Sequence, residues 1–112
     1  MVNASFGSLA APFSAEIATF VEYLAVERGY SPHTMAAYRR DLAHFVEHCH
    51  AMNVTGPLDV TVDVVAGFAG FLQARLAYKS SSAARALAAV RSFLRFLVGE
   101  GALPADPGAS GE

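Results

Sequence analysis

The sequence predicts an all-α fold, a bundle of amphipathic helices, and three observations predict it. Four segments place apolar residues at i, i+3, i+4 and i+7, no segment sustains strand-like alternation, and Gly, Pro and Ser clusters punctuate the gaps. At 112 residues, with 54% hydrophobic and 16% charged residues, the chain is one domain with a real core and not a disordered polymer.

The elements follow in order. The first helix is predicted from Ser14 to Arg28, with Ile17, Phe20, Val21 and Leu24 as its apolar stripe, Ser14 as cap and Gly29 as the left-handed stop. The second opens on Ser31 as N-cap with Pro32 at the first helical position, where a missing N–H costs nothing, and carries Tyr38, Leu42, Phe45 and Cys49 to about Met52. Gly56-Pro57 breaks the chain. A third helix runs from Val62 to Leu76, capped by Thr61, with Val65, Phe68, Leu72 and Leu76 inward. Its strip of Ala66, Gly70 and Ala74 predicts close approach of another helix. The fourth starts near Ser80-Ser81-Ser82 and runs to Val98 on a stripe of Leu87, Val90, Leu94 and Leu97, with Gly99 and Gly101 ending it.

Composition narrows the function. No apolar run approaches the roughly 18 residues of a membrane span, the N-terminus lacks a basic leader, and the lone Cys49 excludes an internal disulfide, so a cytoplasmic domain with no membrane partner is expected. The net charge of −2 conceals an asymmetry: Arg75, Lys79, Arg85, Arg91 and Arg95 give the segment 75–98 a charge of +5, and the remainder carries −7. Such a segment suits an anionic partner even in an acidic chain.

Catalytic constellations are wanting. His44-x-x-Glu47-His48 matches the H-x-x-E-H spacing of inverted zinc peptidases. Glu100 and Glu112 alone follow as glutamate ligands, a small bundle offers no peptidase cleft, and the three residues are read as a polar, solvated face. No P-loop, dinucleotide turn, Cys-x-x-Cys pair or nucleophile elbow occurs, so no metal, cofactor or catalytic residue is assigned. Two helix starts combine hydroxyls with arginines: Ser31-Pro32-His33-Thr34 before Arg39 and Arg40, and Ser80-Ser81-Ser82 before Arg85. Helix N-termini and arginines suit phosphate oxygens, while caps and a solvated face are the plain alternative.

The ensemble of FVEYLAVERGYSPHTMAAYRRDLAHF, SSSAARALAAVRSFLRFLVGEG and a later Asp106-Pro107 resembles the N-terminal core-binding domain of tyrosine recombinases of the XerC/XerD kind. The matching positions are Ser31, Pro32, Thr34, Tyr38, Arg39, Arg40, Asp41, Leu42 and Phe45, then Ser82, Arg85, Leu87, Arg91, Ser92, Phe93 and Leu97. The resemblance spans about residues 13–107.

It implies a SAM-like orthogonal bundle of four to five helices, one half of a clamp around double-stranded DNA, with the second and fourth helices in the major groove. It implies DNA contacts from Thr34, Arg39, Arg40, Lys79, Ser82, Arg85 and Arg91. Residues 1–13 are expected to be a flexible arm, 14–103 the DNA-binding domain, and 104–112 a linker stub toward a catalytic domain of the same parent chain. The implied role is binding a half-site of a recombination sequence, in chromosome dimer resolution before cell division or in related DNA integration. Partner recombinase subunits would join it in a synaptic tetramer on the nucleoid. The piece alone is expected to be no enzyme.

On a helical wheel Arg40 points away from the apolar stripe, whereas Arg39 flanks it within reach of acidic neighbours; Asp41 is read as structural. Five phosphate contacts predict a log–log salt slope of roughly −4 to −5. Ser81, where the family often has a basic residue, and the low net charge predict weak binding without the catalytic half. The rival reading is a helical interaction module that binds a protein or a second copy of itself.

Overall fold

The computed structural model describes residues 13–108. Helices α1 (Ser14–Val26), α2 (Pro32–Ala51), α3 (Val62–Leu76) and α4 (Ser80–Gly99) follow one another, with a 3-10 turn at Pro57–Asp59. No strand occurs among the described residues.

Local chemistry sets most of the ends. The Ser31 hydroxyl accepts the Thr34 N–H at 3.2 Å, Pro32 sits at the first turn of α2, and the Thr61 hydroxyl accepts the Val64 N–H at 3.2 Å to start α3. Beyond α1, Gly29 takes the left-handed conformation at φ 64°, and the Tyr30 N–H returns to the Leu24 carbonyl at 3.1 Å. The end of α3 is less comfortable. Ala77 adopts φ 56° there, a conformation that costs a residue with a Cβ about 1–2 kcal/mol.

Two caps differ from expectation. Phe13, not Ser14, holds the N-cap position of α1, and its ring is fully buried 6.1 Å from both Phe45 and Phe93. Position 13 therefore belongs to the core and not to a flexible arm; residues 1–12 lie outside the described residues. At α4 the N-cap is Lys79 and no side chain caps the helix, while the Ser80 hydroxyl accepts from the Gln73 amide at 3.3 Å.

Helices α2 and α4 each pack against every other helix and form the centre of the bundle. Phe20, Leu42, Phe45, Phe68, Leu72, Val90, Phe93, Leu94 and Leu97 are buried between them and their neighbours. The inward face of α4 holds Val90, Leu94 and Leu97 of the expected stripe together with Ala83, Ala86 and Phe93, and it leaves Leu87 half-buried. Alanines permit close helix approach without a strong hydrophobic signal. Leu76, expected inside, is exposed at the last turn of α3.

The small-residue strip of α3 is not used as expected. Ala66, Gly70 and Ala74 are exposed, and nothing lies within 4 Å of where a Cβ on Gly70 would be. At Gly67 a Cβ would make only ordinary van der Waals contact, 3.6 Å from the His48 imidazole. The C-terminal turn also packs: Leu103 and Gly108 are buried, the Gly108 N–H donates to Asp106 at 2.8 Å, and a Cβ on Gly108 would lie 3.3 Å from Arg91 Cγ. Residues 104–108 of the expected linker stub thus fold back on α4, and residues 109–112 lie outside the described residues.

Cys49 is fully buried, as its place on the apolar stripe predicts, and burial pushes its thiol from 9.0 up to about 12. Native protein at pH 8 will therefore resist a thiol-reactive maleimide, and denaturant will make labelling complete. Because the unfolded thiol ionises first, stability should fall as pH rises from about 9 toward about 12. Fast labelling without denaturant would contradict this burial.

Candidate nucleic-acid interface

Tenth in α2, Asp41 is a carboxylate on a helix whose same-face neighbours pack into the core. It is 2% exposed, and α4 supplies its partner. Arg85 donates from Nε to one carboxylate oxygen at 3.3 Å and from Nη2 to the other at 3.0 Å, a bidentate fork across the two central helices. The Arg40 Nε stands 3.8 Å from the same carboxylate, too long for a hydrogen bond but close enough for attraction. The Arg40 and Arg85 side chains remain 53% and 49% exposed. One buried negative charge thus anchors Arg85 and attracts Arg40, and these three groups together leave an excess of positive charge.

Neighbouring groups complete the patch. The hydrogen bonds and charge of Asp41 raise the Arg85 guanidinium above its ordinary range, with a smaller contribution from Tyr78. The Tyr78 ring meets His44 edge-on at 5.8 Å, and His44 faces Glu47 at 3.3 Å. Tyr78 and His44 are thus brought beside the arginines although neither was singled out as a contact residue. Tyr78 precedes Lys79 in the α3–α4 connection, and that adjacency was the available signal.

The other expected contact residues are distributed unevenly. Lys79 is exposed and opens α4, and Ser82 lies in its first turn, one turn before Arg85. Since no side chain caps α4, its first N–H groups have no side-chain partner and sit at the positive end of the helix dipole. Thr34 is drawn into the cap of α2, its hydroxyl accepting from Ser31 at 3.1 Å, so the start of α2 is occupied by its own side chains. Arg39 departs most: it lines a groove of about 1070 Å³ between α1 and α2, together with Glu22 and Glu47. Arg40 stays half exposed, as its outward wheel position predicts, although its Nε comes within 3.8 Å of Asp41, while Arg39 shares its groove with two glutamates, the acidic neighbourhood its flanking position predicts. Arg91 is exposed with its stem beside the C-terminal turn, and Arg95 donates to Ser92 at 3.2 Å.

The H-x-x-E-H face is not uniformly solvated. His48 is buried against Phe68 and Phe71, and its Nε2–H donates to the Val64 carbonyl at 2.8 Å. A carbonyl can only accept, which fixes the proton on that nitrogen and takes it away from any metal. Its register explains the burial: His48 follows Asp41 by seven residues and shares its inward face. No group of three or more His, Cys, Asp or Glu able to hold a metal ion occurs among the described residues. Among them, too, no helix is long and apolar enough to cross a membrane.

Comparison with known proteins adds the family context. Residues 17–101 match the family described as phage integrase, N-terminal SAM-like domain. The chain is 42% identical over 92 residues to a tyrosine recombinase XerC of Roseiflexus sp. (strain RS-1), covering 82% of this chain and 29% of that protein. It is 40% identical over 93 residues to a tyrosine recombinase XerD of Listeria monocytogenes serotype 4b (strain F2365), covering 81% of this chain and 31% of the relative. A tyrosine recombinase XerC of Vibrio vulnificus (strain YJ016) is 36% identical over 107 residues, covering 96% and 34%. The match thus spans about a third of the length of these relatives. No solved structure matches.

Proposed function

The chain belongs to the phage integrase N-terminal SAM-like domain family, and from that premise we propose that it binds double-stranded DNA as the core-binding domain of a tyrosine recombinase. The observation that carries this reading is the paired cation site on the two central helices, where Asp41 anchors Arg85 and Arg40 at the surface. Lys79 and the uncapped first turn of α4 extend it, suited to phosphate oxygens. In a longer parent, a catalytic domain would close over the opposite face of the duplex, and subunits would pair on adjacent half-sites. Chromosome dimer resolution or DNA integration in the cytoplasm is the corresponding role. DNA cleavage belongs to that larger assembly.

The geometry lowers the expected electrostatic contribution. With Arg40 and Lys79 facing phosphates, Arg85 as the third DNA-facing cation, and Arg39 and Arg91 placed elsewhere, the log–log salt slope on a mixed-sequence duplex should be about −2 to −3. Fluorescence anisotropy between low and moderate salt measures it. A second reading is favoured by one feature, the α1–α2 groove lined by Ile17, Val21, Met35 and Val46, which suits self-association. Size-exclusion chromatography at two concentrations separates them. A monomer with salt-dependent duplex binding supports the DNA reading; a concentration-dependent dimer that ignores DNA sinks it.

A further inference from the structure

We propose that Asp41 is a specificity-determining positioning residue, which holds Arg85 side-on so that the free end of its guanidinium reads a guanine edge in the bound duplex. This rests on the DNA-binding reading above and deepens it.

Arginine carries five N–H donors in one plane. The Asp41 fork uses the edge formed by Nε and Nη2, leaving three donors, two of them on the end edge shared by Nη1 and Nη2. That end edge presents two parallel donors, the complement of guanine O6 and N7 in the major groove. Two phosphate oxygens can take the same end edge, but they do so in any sequence and the side chain can follow them. A base edge asks for a plane held at a fixed angle, and a bidentate partner provides it before DNA arrives.

The placement fits that task. Asp41 is buried and cannot itself meet the DNA backbone, so its negative charge is spent on Arg85 and Arg40. Arg85 is half exposed and lies in the second turn of α4, beyond the uncapped first turn. Arg39, Arg40, Arg91 and Arg95 lack a bidentate carboxylate among the described residues. Among the described residues, the sixth residue of α4 is therefore the one arginine held by a bidentate carboxylate. A staple serving only stability would bond in the same way, and the experiment must separate the two roles.

The test is selection of duplexes from a pool with a randomised central segment, using the 112-residue chain at low salt, followed by affinity measurement on the selected duplex and its guanine-to-adenine variants. Wild-type protein should enrich a guanine at one position, and replacing it should weaken binding about tenfold or more. Asp41→Asn, near-isosteric with the carboxylate, should erase that preference to about twofold. Asp41→Asn also removes a negative charge, so an electrostatic role alone predicts tighter binding to every duplex with the preference intact. Arg85→Lys keeps the charge without the fork and should likewise lose the preference, which covers the case in which Asp41→Asn does not fold. Circular dichroism melting establishes which variants are folded. An undiminished guanine preference in a folded Asp41→Asn or Arg85→Lys variant overturns this inference and leaves DNA binding standing. The absence of any guanine preference in wild-type protein overturns it as well. Failure of wild-type protein to retain any duplex removes the DNA-binding reading and this inference with it.

Discussion

Phe93→Ala will lower the melting temperature by on the order of 20 °C, the largest effect expected of any substitution considered. Phe93 is fully buried in α4 and touches two other rings, Phe13 edge-on at 6.1 Å and Phe20 at 5.4 Å. Truncation removes the apolar area and leaves a cavity between α1, α2 and α4, because helices locked by other rings cannot collapse into it. Such changes cost about 3–5 kcal/mol, a large share of a domain stability of about 5–15 kcal/mol. At about 4–8 °C per kcal/mol for a domain of this size, the shift follows. Thermal melting followed at 222 nm measures it, and a shift under about 5 °C would mean that the aromatic cluster is not packed as described.

Arg85→Ala is expected to cost stability as well as DNA affinity, about 2 kcal/mol, whereas Arg40→Ala should stay within about 0.5 kcal/mol. Removing Arg85 deletes both hydrogen bonds to a carboxylate that is only 2% exposed. Breaking a wholly buried pair costs about 3–5 kcal/mol, and two features reduce the figure here. Arg85 is itself half exposed, and Arg40 remains 3.8 Å away to compensate part of the charge. Asp41→Asn added to Arg85→Ala should recover part of the loss, since a neutral amide is cheaper to leave without its partner. Urea unfolding of the two single variants and the double variant reads all of this. Equal stability of Arg85→Ala and wild type would show that the fork is not formed in solution. A consequence for binding studies is direct: Arg40→Ala tests the proposed DNA face without disturbing the fold, and Arg85→Ala does not.

The helices were legible because their ends carry unambiguous chemistry. Ser31-Pro32, Thr61 and Gly29 each dictate one local conformation, and the structure adopts all three. Interior facing was legible for most large residues, as at Phe20, Phe45 and Leu94, but not at Leu76 and Leu87. It was not legible where small or polar residues do the packing. Ala83 and Ala86 carry little hydrophobic signal yet are buried on the inward face of α4, and His48 reads as polar by type although its register turns it inward. Phe13 precedes the periodic segment and gives no pattern at all.

The candidate site divides along the same line. The residue types were legible, since arginines and hydroxyls near helix starts already suggest phosphate. Their grouping was not, because it depends on a contact between residues 41 and 85, which are 44 positions apart. That contact pulls Arg40 and Arg85 together and leaves Arg39 in the α1–α2 groove.

The Asp41–Arg85 fork also constrains how the sequence can drift. Losing Arg85 first strands a buried charge, whereas losing Asp41 first leaves an arginine that is half in water and can hydrate. The two orders of change are therefore unequal, and a lineage leaving this pairing is expected to abandon position 41 before position 85. Descendants that keep an arginine at 85 without an acid at 41 should then be found more often than the reverse. In those descendants α4 would keep its surface charge, and the proposed reading of bases would be relaxed.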